Sequence, residues 1–243
     1  MKRFIFSLGI VFTVVACQID NYEAPNAGID GKLIDVETGE VVYTEQPDGC
    51  KISLIEQGYE APVPLYFWVK PDGSFRNVAL FSGTYKVVPV EGPIFPCQEE
   101  IVELNKITTH NFNVTPFLRI TVENIEYGET ESGKISVKFR VKRATPPDGM
   151  TIGSKTIYEA CVIVNDKPVV SYYNNGNIDS LKVLRNFSRS KDETVENTLY
   201  TADLTKLISG KKYYIRLAAL SSCSYNSTLK RYNYTQIYEV IAP

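Results

Sequence analysis

Residues 133–143 read GKISVKFRVKR, with Ile135, Val137, Phe139 and Val141 alternating against Ser136, Lys138, Arg140 and Lys142. A period of two puts the apolar set on one face of a strand and the charged set on the other. This is a half-buried strand with a basic outer face, and most of the chain is written in the same style. CKISLIEQG alternates Ile52 and Leu54 against Lys51 and Ser53. PLYFWVKPDGSF is a strand entering a Pro-Asp-Gly turn, continued by NVALFSGTYKVVPV and EEIVELNKITTHNFNVTPF. YEACVIVND and PVVSYYNNG follow as strands, with Asn-Asn-Gly as a turn, and YTQIYEVIA is the last strand. Strands are short, turns are frequent, and no stretch has a 3.6-residue period. The expected fold class is all-β, with two β-sandwich domains in tandem.

Charge divides the chain in the same place as the strand pattern. Residues 17–115 carry 6 basic and 15 acidic side chains, whereas residues 116–243 carry 18 and 13. The shift marks two modules, 28–115 and 116–243, meeting where Thr115-Pro116 interrupts the pattern. They are not repeats of each other. Neither holds a basic run interleaved with stacking aromatics, so nucleic acid is not an expected partner.

Ahead of the sandwiches lies a different kind of segment. Lys2 and Arg3 precede an apolar, uncharged run from Phe4 to Val15, then Ala16 and Cys17. The run is too short to span a bilayer as a helix, which needs roughly 20 residues. A basic start, a short apolar core and a small residue describe a secretory signal over 1–16. The stretch resembles a bacterial lipoprotein signal, although Val14 stands where Leu is commoner. That resemblance implies a lipidated Cys17, a polar tether over 17–27, and a membrane held through acyl chains. The remaining Cys50, Cys97, Cys161 and Cys223 fall two in each half. Pairing within each half is expected of an exported chain, while Cys161 in YEACVIV has the surroundings of a buried thiol.

Catalytic readings find few residues. His110 in ITTHNF is the sole histidine, so two-histidine zinc motifs are impossible and no metal or cofactor is expected. There is no Gly-x-Ser-x-Gly elbow. Glu99-Glu100 and Asp192-Glu193 are carboxylate neighbours, but neighbours on a strand face opposite ways, whereas glycosidase carboxylates must face each other. The chain is expected not to be an enzyme. Binding is better provided for, because aromatic rings stack on the apolar CH faces of sugars. In LYFWVK, Leu65, Phe67 and Val69 share one strand face and Tyr66, Trp68 and Lys70 the other, which makes Tyr66 and Trp68 ligand candidates. Tyr172-Tyr173 beside Asn174-Asn175 is a second candidate. Tyr225, Tyr232 and Tyr234 near Lys230-Arg231 form a third cluster, either a loop-borne site or interdomain filling.

The order GKLIDVETGE, then VKPDGSFRNVALFSGTYKVVPV, resembles the carboxypeptidase-regulatory-like, transthyretin-type sandwich. LYTADLTKLISGKKYYIRLAALSSC, with Leu204, Leu207 and Gly210 before a Tyr-rich strand, resembles the late part of a fibronectin type III domain. With the start CQIDNYEAP, the whole resembles the DUF3823 lipoproteins of Bacteroidota. That resemblance implies an outer-membrane, surface-exposed lipoprotein accessory to a SusC/SusD-like glycan uptake system, without established catalytic residues. Asp179-Ser180-Leu181 resembles the short O-glycosylation motif of these bacteria, which would place a glycan on Ser180. The alternative is a structural or scaffold subunit, of the uptake complex or of a fimbria, with protein partners only.

Overall fold

The computed structural model describes residues 23–128, 133–173 and 183–243; Cys17, Ser180 and the Asn174-Asn175-Gly176 turn lie outside these. The fold is all-β. The first eight strands are β1 (Ala27–Asp35), β2 (Lys51–Glu56), β3 (Leu65–Trp68), β4 (Ser74–Leu80), β5 (Gly83–Val90), β6 (Glu100–Leu104), β7 (Ile107–Thr109) and β8 (Phe112–Val114). One sheet has the order β3-β2-β5-β6; the other is built on β1, flanked by β4 on one side and by β7 and β8 on the other. The Pro71-Asp72-Gly73 turn before β4 needs its glycine. Gly73 has φ +75°, and a Cβ there would lie 2.5 Å from the Val42 carbonyl oxygen.

The second group comprises β9 (Leu118–Tyr127), β10 (Ile135–Arg143), β11 (Ile157–Asn165), β12 (Val183–Asn186), the single-turn helix α1 (Asp192–Glu196), β13 (Tyr200–Leu204), β14 (Lys212–Ser221), β15 (Tyr232–Tyr234) and β16 (Tyr238–Ile241). A three-stranded sheet, β13-β10-β9, faces a five-stranded one, β12-β11-β14, with β15 and β16 both on β14. Strand β10 keeps its alternation, burying Ile135, Val137, Phe139 and Val141 in the core. At the start of β14, the Tyr213 hydroxyl accepts the Ile208 N–H at 3.0 Å, a tyrosine corner of the kind found in immunoglobulin-like sandwiches.

Each sandwich has its own core, but the two cores share a loop. Ile94 packs in the first, whereas Phe95 is buried in the second against Phe117, with ring centroids 5.0 Å apart. A third apolar cluster covers the outer face of the five-stranded sheet. It joins Cys161 and Ile163 of β11 to Val170, Tyr232 and Tyr234, with Tyr43 of the first sandwich packed on it. Strand β11 is consequently buried on both faces. Cys50, Cys97 and Cys223 are thiols, so neither pairing within a half is made. Each lies in or against an apolar core, and burial pushes the Cys97 thiol up to about 11.

Polar contacts also tie the sandwiches together. Asn233 donates to the Pro93 carbonyl at 2.8 Å and accepts the Leu118 N–H at 3.0 Å. Arg119 grips buried Asp35 through two bonds of 2.6 and 2.7 Å and reaches Glu37 at 2.7 Å. Burial works to raise the Asp35 pKa, but the Arg119 guanidinium and the Glu37 N–H outweigh it, and the net shift is downward. A depressed carboxyl pKa stabilises the fold above the unfolded value near 3.8, and that contribution is lost as pH falls through the folded value. Asp35→Asn is expected to unfold at lower denaturant than wild type at pH 7. Its stability should then fall less between pH 5 and pH 3, as denaturant midpoints across that range would read.

Candidate functional site: an aromatic strip on the outer sheet face

Strand β3 is the edge of its sheet and pairs only with β2, placing Trp68 opposite Lys51 and Tyr66 opposite Ser53. The period of two has the expected result in part: Val69 is buried and Phe67 packs on the core, while Tyr66 is 52% exposed and Trp68, like Phe67, is half-buried. Leu65 departs from the expected apolar set. It begins the edge strand, where the sheet no longer covers it, and is 45% exposed. Between the two rings stands Lys51, whose Nζ lies 4.7 Å from the Trp68 centroid and 6.0 Å from that of Tyr66. Its charge is met by Glu91 at 2.6 Å. Beneath them Ser53 is nearly covered. The result is an aromatic platform: two rings on one edge strand with the Lys51 ammonium over them, and a lysine and a carboxylate able to bond hydroxyls.

The second candidate pair divides. Tyr172 is stacked on buried Tyr232, with centroids 4.3 Å apart and planes at 19°, and its N–H bonds the Tyr234 hydroxyl at 3.1 Å. Tyr173 is 64% exposed and stands edge-on to Tyr172. In the third cluster Tyr232 and Tyr234 are buried filling, whereas Tyr225 packs on Phe95 at 5.5 Å and stays partly exposed. The Tyr232 hydroxyl donates to buried Glu159 at 2.5 Å.

Of the groups considered for catalysis, Glu99 and Asp192 have structural partners, and His110 Nε2 makes no hydrogen bond among the described residues. His110 stands edge-on to Phe112, with Nε2 3.1 Å from Glu100, while Glu99 pairs with Lys86 at 3.0 Å. Asp192 is buried under Arg143 and the start of β11, whereas Glu193 is exposed. Sequence reasoning placed Arg231 beside the third tyrosine cluster but missed Lys51 and Glu91 as neighbours of Tyr66 and Trp68. Of these two, Lys51 carried a signal, as a member of the outward set of β2.

Residues 27–115 match the family model described as "Protein of unknown function (DUF3823) N-terminal domain". A DUF3823 family protein from Bacteroides uniformis superposes with a TM-score of 0.76 at 24% identity, over 90% of this chain and 100% of its own. One from Parabacteroides merdae does so at 0.66 and 21%, over 90% and 100%. A Bacteroides uniformis structure described as a "putative carbohydrate binding protein" gives 0.74 at 21%, over 89% and 99%. At these identities the likeness speaks to the fold. No curated protein matches the chain.

Proposed function

Starting from the fact that the first sandwich of this chain is a DUF3823 N-terminal domain, we propose that the protein is a non-catalytic carbohydrate-binding lipoprotein and that the Tyr66/Trp68 platform is its binding face. One observation carries the reading: two outward rings on one edge strand flank a single ammonium, Lys51, already neutralised by Glu91. Rings stack on the CH faces of a sugar, and the charged pair bonds its hydroxyls. The description of the Bacteroides uniformis relative supports the same class of ligand. The Lys2-Arg3 start, the apolar run and Ala16-Cys17 support a lipid anchor on Cys17. With the family resemblance they support an outer-membrane, cell-surface position beside a SusC/SusD-like uptake system. A scaffold role with protein partners is favoured by one feature, the exposed Tyr59, Val63 and Leu65 leading into the same edge.

Trp68 is the only tryptophan, so its emission reports the platform alone. Residues 18–243 titrated with neutral plant and host polysaccharides are expected to give a saturable emission shift. Calorimetry with Trp68→Ala should then show at least a tenfold weaker Kd, equivalent to about 1.4 kcal/mol. Emission unmoved by every glycan, together with calorimetric silence, would remove the binding reading and leave the scaffold one.

A further inference from the structure

Tyr66 and Trp68 do not stand alone on this side of the molecule. The Glu91 carboxylate holds Lys51, and the Glu91 carbonyl accepts the Nε–H of Arg231 at 3.3 Å. Glu91 manages both from a left-handed backbone conformation, φ 57°. Arg231 belongs to the second sandwich, and its Nη1 lies 3.7 Å from Asp48 of the first. Its backbone is clamped by buried Asn226, which accepts its N–H and donates to its carbonyl, both at 2.9 Å. The next residue, Tyr232, has its ring 6.4 Å from that of exposed Tyr173. A chain of neighbours therefore runs from Trp68 through Lys51, Glu91, Arg231 and buried Tyr232 to Tyr173, with exposed aromatic rings at its ends and two cations matched by two anions between them.

Resting on the carbohydrate-binding reading above, we infer that the ligand is an extended, neutral glycan chain lying across both sandwiches, with Tyr66 and Trp68 holding one stretch and Tyr173 another. Three features carry this. Alternate residues on a strand are roughly 6.5–7 Å apart, so Tyr66 and Trp68 suit successive rings of a chain rather than one sugar. Lys51, Glu91, Arg231 and Asp48 balance, so an acidic chain gains no free cation there and meets a first sandwich rich in carboxylates. The platform and Tyr173 sit on different domains, but Arg119, Asn233 and Arg216 bond across the junction and fix their separation. A ligand reaching both pays little to order them.

The test uses residues 18–243 and calorimetry with length ladders, from disaccharide to octasaccharide, of cello-, manno-, xylo- and malto-oligosaccharides, with polygalacturonate as the acidic polymer. For the ladder that binds, affinity should go on rising past the tetrasaccharide. Tyr173→Ala should weaken the octasaccharide about tenfold and leave the disaccharide unchanged, which also shows that the variant is folded. Polygalacturonate should bind more weakly than the best neutral chain. The inference is overturned if Tyr173→Ala leaves octasaccharide affinity intact while Trp68→Ala reduces it, an outcome under which the platform reading stands. Tighter binding of polygalacturonate than of any neutral chain overturns it too. Silence across every ladder and polymer, in wild type as well, overturns the carbohydrate-binding reading itself.

Discussion

Arg216→Met is expected to lose about 3–5 kcal/mol of folding stability, the range found when one partner of a buried charge network is removed. Arg216 is 1% exposed, yet it lies in the apolar strand sequence YYIRLAAL. Its guanidinium stands 4.4 Å from the Tyr234 ring centroid and donates to four carbonyls: Thr235 at 2.9 Å, Val170 at 3.1 Å, Thr44 at 2.8 Å and Pro71 at 3.0 Å. Burial pulls its pKa down to about 10, still far enough above neutral to keep it charged. Methionine fills the volume but takes the side-chain donor from the Thr235, Val170 and Thr44 carbonyls, while Pro71 keeps only the Thr44 N–H at 3.3 Å. Thr44 and Pro71 belong to the first sandwich and Val170 and Thr235 to the second, so the loss also loosens their coupling. Wild type should unfold in one transition and the variant in two. The deficit should depend on pH. Burial raises the Glu45 carboxyl pKa, and the bonds from Tyr234 and Ser171 and the field of Arg216 offset only part of that rise. A raised carboxyl pKa means the fold holds the proton more tightly, so stability from this group falls as pH climbs from 4.5 through the folded value. Without Arg216 the rise is larger, so the variant should sit closer to wild type at pH 5 than at pH 8. Denaturant curves at the two pH values would read this, and a midpoint shift below that of an ordinary surface substitution would sink it.

The strands were legible because a covered face leaves a period of two. Strand β10 shows this cleanly, and the outward set of β3 came from the same rule. What the pattern cannot state is a second covering. Strand β11 reads as a continuous apolar run, and the reason is that Tyr43, Val170 and the Tyr232–Tyr234 strand close over its outer face. That covering also decides the tyrosines: Tyr232 and Tyr234 are filling, Tyr172 is half filling, and Tyr173 alone of these stays outside. The loop at Ile94 and Phe95 is similar. Adjacent apolar residues serve two cores, and nothing local says that the second core borrows a ring from the first domain. Arg216 did carry a signal, since a lone arginine within an apolar strand must be paired if it is buried.

Asp192→Ala is the second large effect. In the sequence Asp192 and Glu193 look like a pair of carboxylates, and in the fold they are opposites. Glu193 is exposed, whereas Asp192 is 1% exposed at the first turn of α1. Its two oxygens accept the Thr156 N–H at 2.8 Å, the Thr156 hydroxyl at 2.9 Å and the Ile157 N–H at 2.8 Å, with Arg143 at 3.2 Å. Ile157 begins β11 and Thr156 immediately precedes it, so one carboxylate fixes where that strand enters the sheet. A helix of five residues is too short to hold its place by propensity, so α1 depends on this anchor. Alanine strands two buried N–H donors and a hydroxyl and should cost about 3–5 kcal/mol, while Arg143 keeps its pair with Glu196 at 2.8 Å. Asparagine keeps one acceptor and should cost less than alanine. Glu193→Ala, one residue along, should stay within about 0.5 kcal/mol of wild type, as exposed substitutions do. Neither change touches Tyr66, Trp68 or Tyr173, so glycan affinity measured on folded Asp192→Ala protein should match wild type. A stable Asp192→Ala, or one that folds normally but loses glycan affinity, would show that Asp192 does something other than anchor β11.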